Sequence, residues 1–284
     1  MRRRLLFLMA AWSLRWVPAC GAEPTTTVFD QTGILDGGLP RDAFYGSDTN
    51  TWDSDQSGVL PYAGNFAAHF TPYPHNDSRN GGTAIGATSA SYGLGHPFLY
   101  AKDFSIEAWV KLDPAAVSAG SSSTIFNTRR FGFAVTEGGL NPHFVTYGRK
   151  DWILGSVSLQ VNAWYQLVVT YSGDTATFYV NGAPAGSVID AGQTGANTSS
   201  WTHFAIAHRT DANLGVTWFN PYFGWIDELA IFPVILTDAQ VLAHYNARNG
   251  NYPAAVLADE PSGYWDFNKA RRPKAKGGTL LIVR

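Results

Sequence analysis

The stretch Phe104-Ser105-Ile106-Glu107-Ala108-Trp109-Val110-Lys111-Leu112 decides how this chain is read. Phe104, Ile106, Ala108, Val110 and Leu112 alternate with Ser105, Glu107, Trp109 and Lys111, and a period of two marks a strand with one face on a core. The pattern predicts a half-buried strand with a Trp among its polar neighbours. Downstream, Trp164-Tyr165-Gln166-Leu167-Val168-Val169-Thr170-Tyr171 is apolar on both faces and reads as a central strand. Ser172-Gly173-Asp174 turns it into Thr175-Ala176-Thr177-Phe178-Tyr179-Val180. Asn181-Gly182 then supplies the positive φ of a two-residue hairpin leading to a strand near Ala185–Val188. These three segments form an antiparallel meander.

The rest of the chain follows suit. From Thr25 to about Leu257, Gly, Asn, Asp and Ser punctuate the sequence roughly every ten residues, as in a sandwich. Of its 284 residues 45% are hydrophobic and 14% aromatic, with 29 Gly and ten Trp. Only 15% are charged, against roughly 25% in ordinary soluble domains. The expected fold class is all-β, a jelly-roll sandwich of two antiparallel sheets with one short C-terminal helix. That helix is signalled at Thr237, an N-cap with Gln240 three residues on to complete a capping box, and Leu236 and Val241 at the staple positions. Val241, Leu242 and Tyr245 give it a short apolar stripe, and Asn249-Gly250 closes it.

Composition also excludes. A net charge of -2 gives no electrostatic case for nucleic acid or an anionic membrane. One cysteine cannot make an internal disulfide or a Cys-rich zinc site. Beyond the N-terminus no apolar run approaches the ~18 residues of a transmembrane span. Residues 1–22 read as a signal peptide: Met1-Arg2-Arg3-Arg4, a short apolar stretch Leu5–Trp12, then small residues Ala19-Cys20-Gly21-Ala22. The expected location is secreted or cell surface, with periplasmic or lipid-anchored variants through Cys20 as the lesser reading. Asn76-Asp77-Ser78 and Asn197-Thr198-Ser199 are glycosylation sequons if the host uses them. The domain is drawn at residues 25–257. Residues 258–284 resemble its own beginning: Glu260-Pro261 before Tyr264-Trp265-Asp266 parallels Glu23-Pro24 before Val28-Phe29-Asp30. Unless the likeness is chance, two arrangements follow, either a strand borrowed by the first sandwich or the start of a second copy in a larger modular protein.

The motifs resemble those of bacterial laminin-G-like (pentraxin-like) domains of the concanavalin A-like lectin/glucanase superfamily. Phe104–Lys111 is similar to the family's "f-s-i-e-a-W-v-k" strand. Trp164–Val168 through Phe178-Tyr179-Val180-Asn181-Gly182 resembles its "W-h-h-v … l-y-v-n/d-G" hairpin. Phe223-Gly224-Trp225-Ile226-Asp227-Glu228-Leu229-Ala230-Ile231-Phe232, then Leu236-Thr237, is similar to its "G-x-I-D-E-v-a-i-y … a-L-s/t" closing strand and helix. Tyr264-Trp265-Asp266 resembles the opening "a-Y-W-r-l", and Gly64–Phe70 the "n-k-A-a-s-F" strand. Order and spacing agree over about residues 95–250. The resemblance implies an adhesion or carbohydrate-binding module of secreted proteins, in a family where Ca²⁺ is often bound.

Three constellations bear on chemistry. Asp53-Ser54-Asp55-Gln56-Ser57-Gly58 follows the D-x-D-x-S-G opening of a Ca²⁺ loop, whose alternate oxygens converge on one hard cation. Position twelve is Gly64 where an EF-hand needs Glu, so Asp53, Asp55 and Ser57 are either part of a looser Ca²⁺ site, completed by Asp48 or carbonyls, or a solvated acidic turn. Asp227-Glu228 are neighbours on a strand, so alternation puts them on opposite faces and argues against an acid/base pair. The Glu-x-Asp-x-x-Glu pattern of related glucanases is absent from the sequence. Tyr147, Trp152, Trp218 and Tyr222 lie in stretches that read as exposed loops beside polar residues, the composition with which a sugar ring is stacked and its hydroxyls bonded, the alternative being aromatics that pack the sandwich or its loops. The expectation is a non-catalytic module binding an extracellular glycan or protein, with Ca²⁺ as accessory. The alternatives are a glycoside hydrolase or lyase of the same superfamily, or a structural spacer.

Overall fold

The computed structural model describes short segments within residues 27–87 and, apart from 190–203, 211–217 and a few turn residues, the stretch 103–268. The early strands are short: β1 (Thr27–Val28), β2 (Leu35–Asp36), β3 (Leu39–Pro40), β4 (Ala43–Tyr45), β5 (Ala68–Phe70) and β6 (Ile85–Ala87). Then come β7 (Phe104–Leu112), β8 (Ser123–Thr128), β9 (Phe131–Val135), β10 (Pro142–Thr146) and β11 (Lys150–Ile153). The meander is β12 (Trp164–Ser172), β13 (Thr175–Val180) and β14 (Ala183–Ile189). After β15 (Phe204–Ile206), β16 (Arg209–Thr210) and β17 (Trp218–Phe219), the long β18 (Gly224–Phe232) leads into α1 (Asp238–Ala247), α2 (Tyr252–Ala258) and β19 (Gly263–Trp265).

Among the described residues these strands make two antiparallel sheets. The front sheet runs β14-β13-β12-β7-β18, and the far edge of β18 is shared end to end. β5 pairs with Gly224–Ile226, and β19 with Leu229–Ile231. The back sheet runs β1-β4-β6-β15-β8-β9-β10-β11. Between the sheets lies the main core, to which alternate residues of each contribute as the period-two pattern requires. Phe104 of the front sheet stacks on Phe131 of the back sheet at 4.3 Å between ring centres. Truncating such a buried Phe costs about 3–5 kcal/mol.

The outer face of the front sheet departs from the simple alternation. Ser105, Glu107 and Trp109 were expected to face water, yet all three are buried. Both helices lie over this face and create a second apolar core, in which Trp109, Val168, Tyr179 and Phe232 meet Leu236 and Val241, and Tyr252 and Val256. Ser105 Oγ donates to the Val234 carbonyl at 2.8 Å and accepts from the Leu236 N–H at 2.9 Å, pinning the chain as it enters α1. The capping box forms as expected, Thr237 Oγ1 accepting from Gln240 N–H and Gln240 Oε1 from Thr237 N–H. The apolar stripe differs: Val241 is buried but Leu242 is exposed, and His244, one turn below Val241, takes the inward position. The second helix was not foreseen. Its seven residues are too few for a periodic signal, and it forms because Tyr252 and Val256 find a sheet to cover. Of the two arrangements open for the tail, β19 lies in this same sandwich, with Tyr264 and Trp265 wholly buried.

Two glycines are dictated by close approach. Gly182 (φ +79) follows Asn181 (φ 53) in the tight hairpin turn, and a Cβ there would meet Tyr245 of α1 at 2.7 Å. Gly224 (φ +136) abuts β7, where a Cβ would stand 2.1 Å from the Lys111 carbonyl oxygen.

Candidate functional site

The residues singled out from the sequence scatter. Asp53, Asp55, Ser57 and Tyr147 lie outside the described residues. Trp152 is on β11, the edge strand of the back sheet, opposite Phe144 of β10. Trp218 is in the separate β16–β17 ribbon, opposite Thr210. Tyr222, expected in an exposed loop, is a core residue with 1% exposure, edge-on to Phe70 at 6.3 Å. Its phenol is driven well above the usual range by burial. The loop reading failed because the segment just before β18 passes beneath the surface: the Tyr222 N–H bonds the Ala207 carbonyl at 2.7 Å. Among the described residues no three His, Cys, Asp or Glu side chains gather as a metal site, and no helix is long and apolar enough to cross a membrane.

Asp227 and Glu228 behave differently from the alternation argument. A β-bulge interrupts the β18–β7 register between Asp227 and Ala230, and Glu228 takes a left-handed φ of 54. The bulge sits where the far edge of β18 passes from β5 to β19. It turns Glu228 toward the helical cap, where its carboxylate accepts from the Tyr264 hydroxyl. Asp227 Oδ2 accepts from the Val59 N–H and Asn65 Nδ2, each at 3.0 Å. Asp227 Oδ1 and Asn65 Oδ1 are buried without a hydrogen-bond partner. Burial, with Asp266 adding to it, pushes the Asp227 carboxyl up to about 8 against the bonds it accepts.

Beside it, Glu107 anchors the cap. Its Oε1 accepts from Gln166 Nε2 and the Tyr252 hydroxyl, both at 2.6 Å, and its Oε2 lies 2.7 Å from His244 Nδ1. His244 Nε2 reaches Asp259 at 2.9 Å. Burial lowers the basicity of His244, but Glu107 and Asp259 together more than offset it and hold the imidazole above its usual value. One strand and both helices are thereby joined through a single buried imidazole.

Further along the same face runs a row of partly exposed side chains. Across four strands, His69 (β5) lies opposite Trp225 (β18), Trp225 opposite Lys111 (β7), and Lys111 opposite Trp164 (β12). All four side chains are half-buried. His69 stacks on the Trp225 indole at 4.1 Å and 3° between planes. Lys111 Nζ sits 3.9 Å from the Trp225 ring centre and 5.4 Å from that of Trp164. Burial lowers the Lys111 pKa, the cost of partly desolvating an ammonium. Bordering the row, Tyr245 stacks on Trp109 at 5.8 Å, and the Arg248 guanidinium lies 3.8 Å over the Tyr245 ring. The sequence contained the components of this row but not their meeting. They come from positions 69, 111, 164 and 225, and only strand order makes them neighbours.

Residues 80–242, more than half of the chain, match the family model of the concanavalin A-like lectin/glucanases superfamily. No curated protein matches the chain. Among solved structures, a proposed carbohydrate-binding protein of Bacteroides ovatus is 20% identical with a TM-score of 0.45, over 60% of this chain and 47% of that one. A heptameric SAP-like pentraxin of Limulus polyphemus is 14% identical with a TM-score of 0.49, over 73% and 95%. The binding domain of botulinum neurotoxin serotype D is 13% identical with a TM-score of 0.49, over 79% and 50%. The chain thus spans about half the length of the Bacteroides and neurotoxin structures, and these likenesses concern the sandwich alone.

Proposed function

The chain belongs to the concanavalin A-like lectin/glucanases superfamily, and from that premise we propose that it is a secreted, non-catalytic recognition module that binds an extracellular glycan. The observation that carries this reading is the half-exposed row His69–Trp225–Lys111–Trp164. Trp225 is held between His69 and Lys111 on the two flanking strands, so the indole that gives the apolar face of a sugar ring something to lie against is Trp164, and charged or amide groups beside it bond the hydroxyls. A strand-borne row is also rigid, which lowers the ordering cost of binding.

The carboxylates of the front sheet support recognition over hydrolysis. Glu107, Asp227 and Glu228 are fully buried and engaged in bonds that hold the fold together. A hydrolytic pair would instead flank a cleft at roughly 5–9.5 Å. The export signal of residues 1–22 belongs to this proposal, as does Ca²⁺ bound by Asp53, Asp55 and Ser57. What supports the metal is the spacing of Asp53, Asp55 and Ser57, whose alternate side-chain oxygens can converge on one hard cation.

Glycan-array binding of the full chain, repeated with EDTA, tests the proposal. Binding to defined glycans that is lost in Trp164→Ala supports it. The absence of any bound glycan would overturn it, and turnover of a β-glucan would favour the hydrolase reading. EDTA sensitivity decides the Ca²⁺ component alone.

A further inference from the structure

Lys111 stands out among the charged groups of the front sheet because no carboxylate among the described residues pairs with it. Its company is aromatic, with Trp225 and Trp164 on the flanking strands. The carboxylate two residues on, Asp113, is turned away to accept the Ala115 N–H at 2.8 Å. An ammonium partly withdrawn from water and left without a counter-ion is costly, and cation–π contacts recover only part of that cost. The arrangement is therefore unfinished electrostatically until an anion arrives.

The surroundings specify what kind of anion. On the same face of β7, Trp109 precedes Lys111 by two residues, about 7 Å along the strand. Trp109 carries Tyr245, and Tyr245 carries the Arg248 guanidinium, so a second cation flanks the row. Among the described residues the carboxylates of this face include Glu107, Asp227, Glu228 and Asp259, with Asp238 on the Tyr179 hydroxyl and Asp266 near Asp227. Glu107, Asp227 and Glu228 are buried, and Glu107 and Asp259 are matched by His244 under the helices. The groups seen around Lys111 are thus aromatic, and the buried acids of the face are held by partners of their own. An inorganic ion would have no use for the indoles. A neutral sugar would leave the ammonium unpaired.

We infer that the row Trp225–Lys111–Trp164 is a subsite for an acidic sugar, the Lys111 ammonium pairing with a carboxylate or sulfate whose pyranose ring lies along the two indole rims. This rests on the glycan-recognition reading and narrows it to anionic polysaccharides. A charged group bound against a half-desolvated ammonium forms a charge-assisted bond, the stronger class of hydrogen bond. The preference for acidic over neutral sugar is set by Lys111, and the affinity for both by the Trp164 and Trp225 rims.

Titration calorimetry of the full chain separates these roles. The probes are an oligogalacturonate, its methyl ester and a sulfated oligosaccharide of equal length. Wild type is expected to bind one or both acidic probes at least tenfold more tightly than the ester, with affinity falling as salt rises. Lys111→Met keeps the stem and is expected to abolish that preference while leaving weak ester binding. Lys111→Arg should retain the preference, and Trp164→Ala should weaken all probes together. The carboxylated and sulfated arms tell which anion is taken. Equal binding of acidic and neutral probes, or an unchanged preference in Lys111→Met, overturns the inference and leaves glycan recognition standing. Failure of every saccharide, including the neutral set, overturns both. Binding of an acidic peptide with no saccharide binding overturns the sugar assignment in favour of a protein partner. Melting curves of each variant show that a lost preference is not a lost fold.

Discussion

The outer face of the front sheet carries two regions that share β7 and β12 yet are opposite in character. Toward one end, Glu107, Gln166, His244 and Tyr252 form a network sealed beneath α1 and α2. Toward the other, Lys111, Trp164 and Trp225 stand half-exposed beside one another. Both ends hold a charge that dispersion alone cannot satisfy. Under the helices the protein supplies the partners itself, and each lost partner leaves a buried ion behind. At the open end it supplies only aromatic surface, and a missing partner is water or ligand. The difference separates residues that hold the fold from residues free to recognise something.

The sharpest way to break this comparison is His244→Ala. Removing the imidazole strands Glu107 in a dry site, and breaking a buried pair of this kind costs about 3–5 kcal/mol. The melting temperature is expected to fall by about 10 °C or more, read by calorimetry at pH 6. A shift no larger than that of Lys111→Met would show the two ends to be alike.

A smaller effect depends on pH. The Asp227 carboxyl titrates at about 8 in the folded chain against an ordinary 3.8. Between those values the folded state keeps a proton that the unfolded state has released, so stability falls as pH rises from about 4 to about 8. His244 adds to the same trend: with its pKa raised, its contribution is complete below the usual 6.5 and is lost as pH climbs through the folded value. Wild type is therefore expected to melt several degrees higher at pH 5 than at pH 8.5. Asp227→Asn keeps the acceptor for Val59 and Asn65 but has nothing to titrate. Its melting curve should vary less with pH, and it should be the more stable protein at pH 8.5. A profile parallel to wild type would remove Asp227 from this account.

The smallest effect belongs to the open end. Lys111→Met gives up a cation–π contact worth about 0.5–1 kcal/mol at an exposed site and relieves a desolvated ammonium. Its melting temperature should stay within about 3 °C of wild type. A larger drop would make Lys111 a fold residue and weaken its assignment to ligand.

Legibility in the sequence followed the range of the physics. Alternation over Phe104–Leu112 and the Asn181-Gly182 turn are local, and both strand and hairpin are found where those residues lie. The Thr237–Gln240 box is equally local and caps α1 as read. Alternation could not foresee that a helical cap would bury the polar side of β7, because burial of Glu107 depends on His244 and Tyr252, well over a hundred residues away in the chain. It could not foresee the bulge at Asp227-Glu228 either, since the bulge answers to the change of neighbour from β5 to β19. Tyr222 shows the same limit at a candidate site: an aromatic before a strand reads alike whether its loop stands proud or dives into the core.

Composition, period and turn chemistry are properties of adjacent residues, and so the chain by itself determined an antiparallel sandwich, its family motifs and the cap of its first helix. Which residues touch across strands is decided by sheet order, and which polar groups are sealed by what packs over them. Only the tertiary structure could therefore assemble His69, Trp225, Lys111 and Trp164 into one row and shut Glu107 away from water, because contacts among such distant positions exist only after the chain has closed on itself.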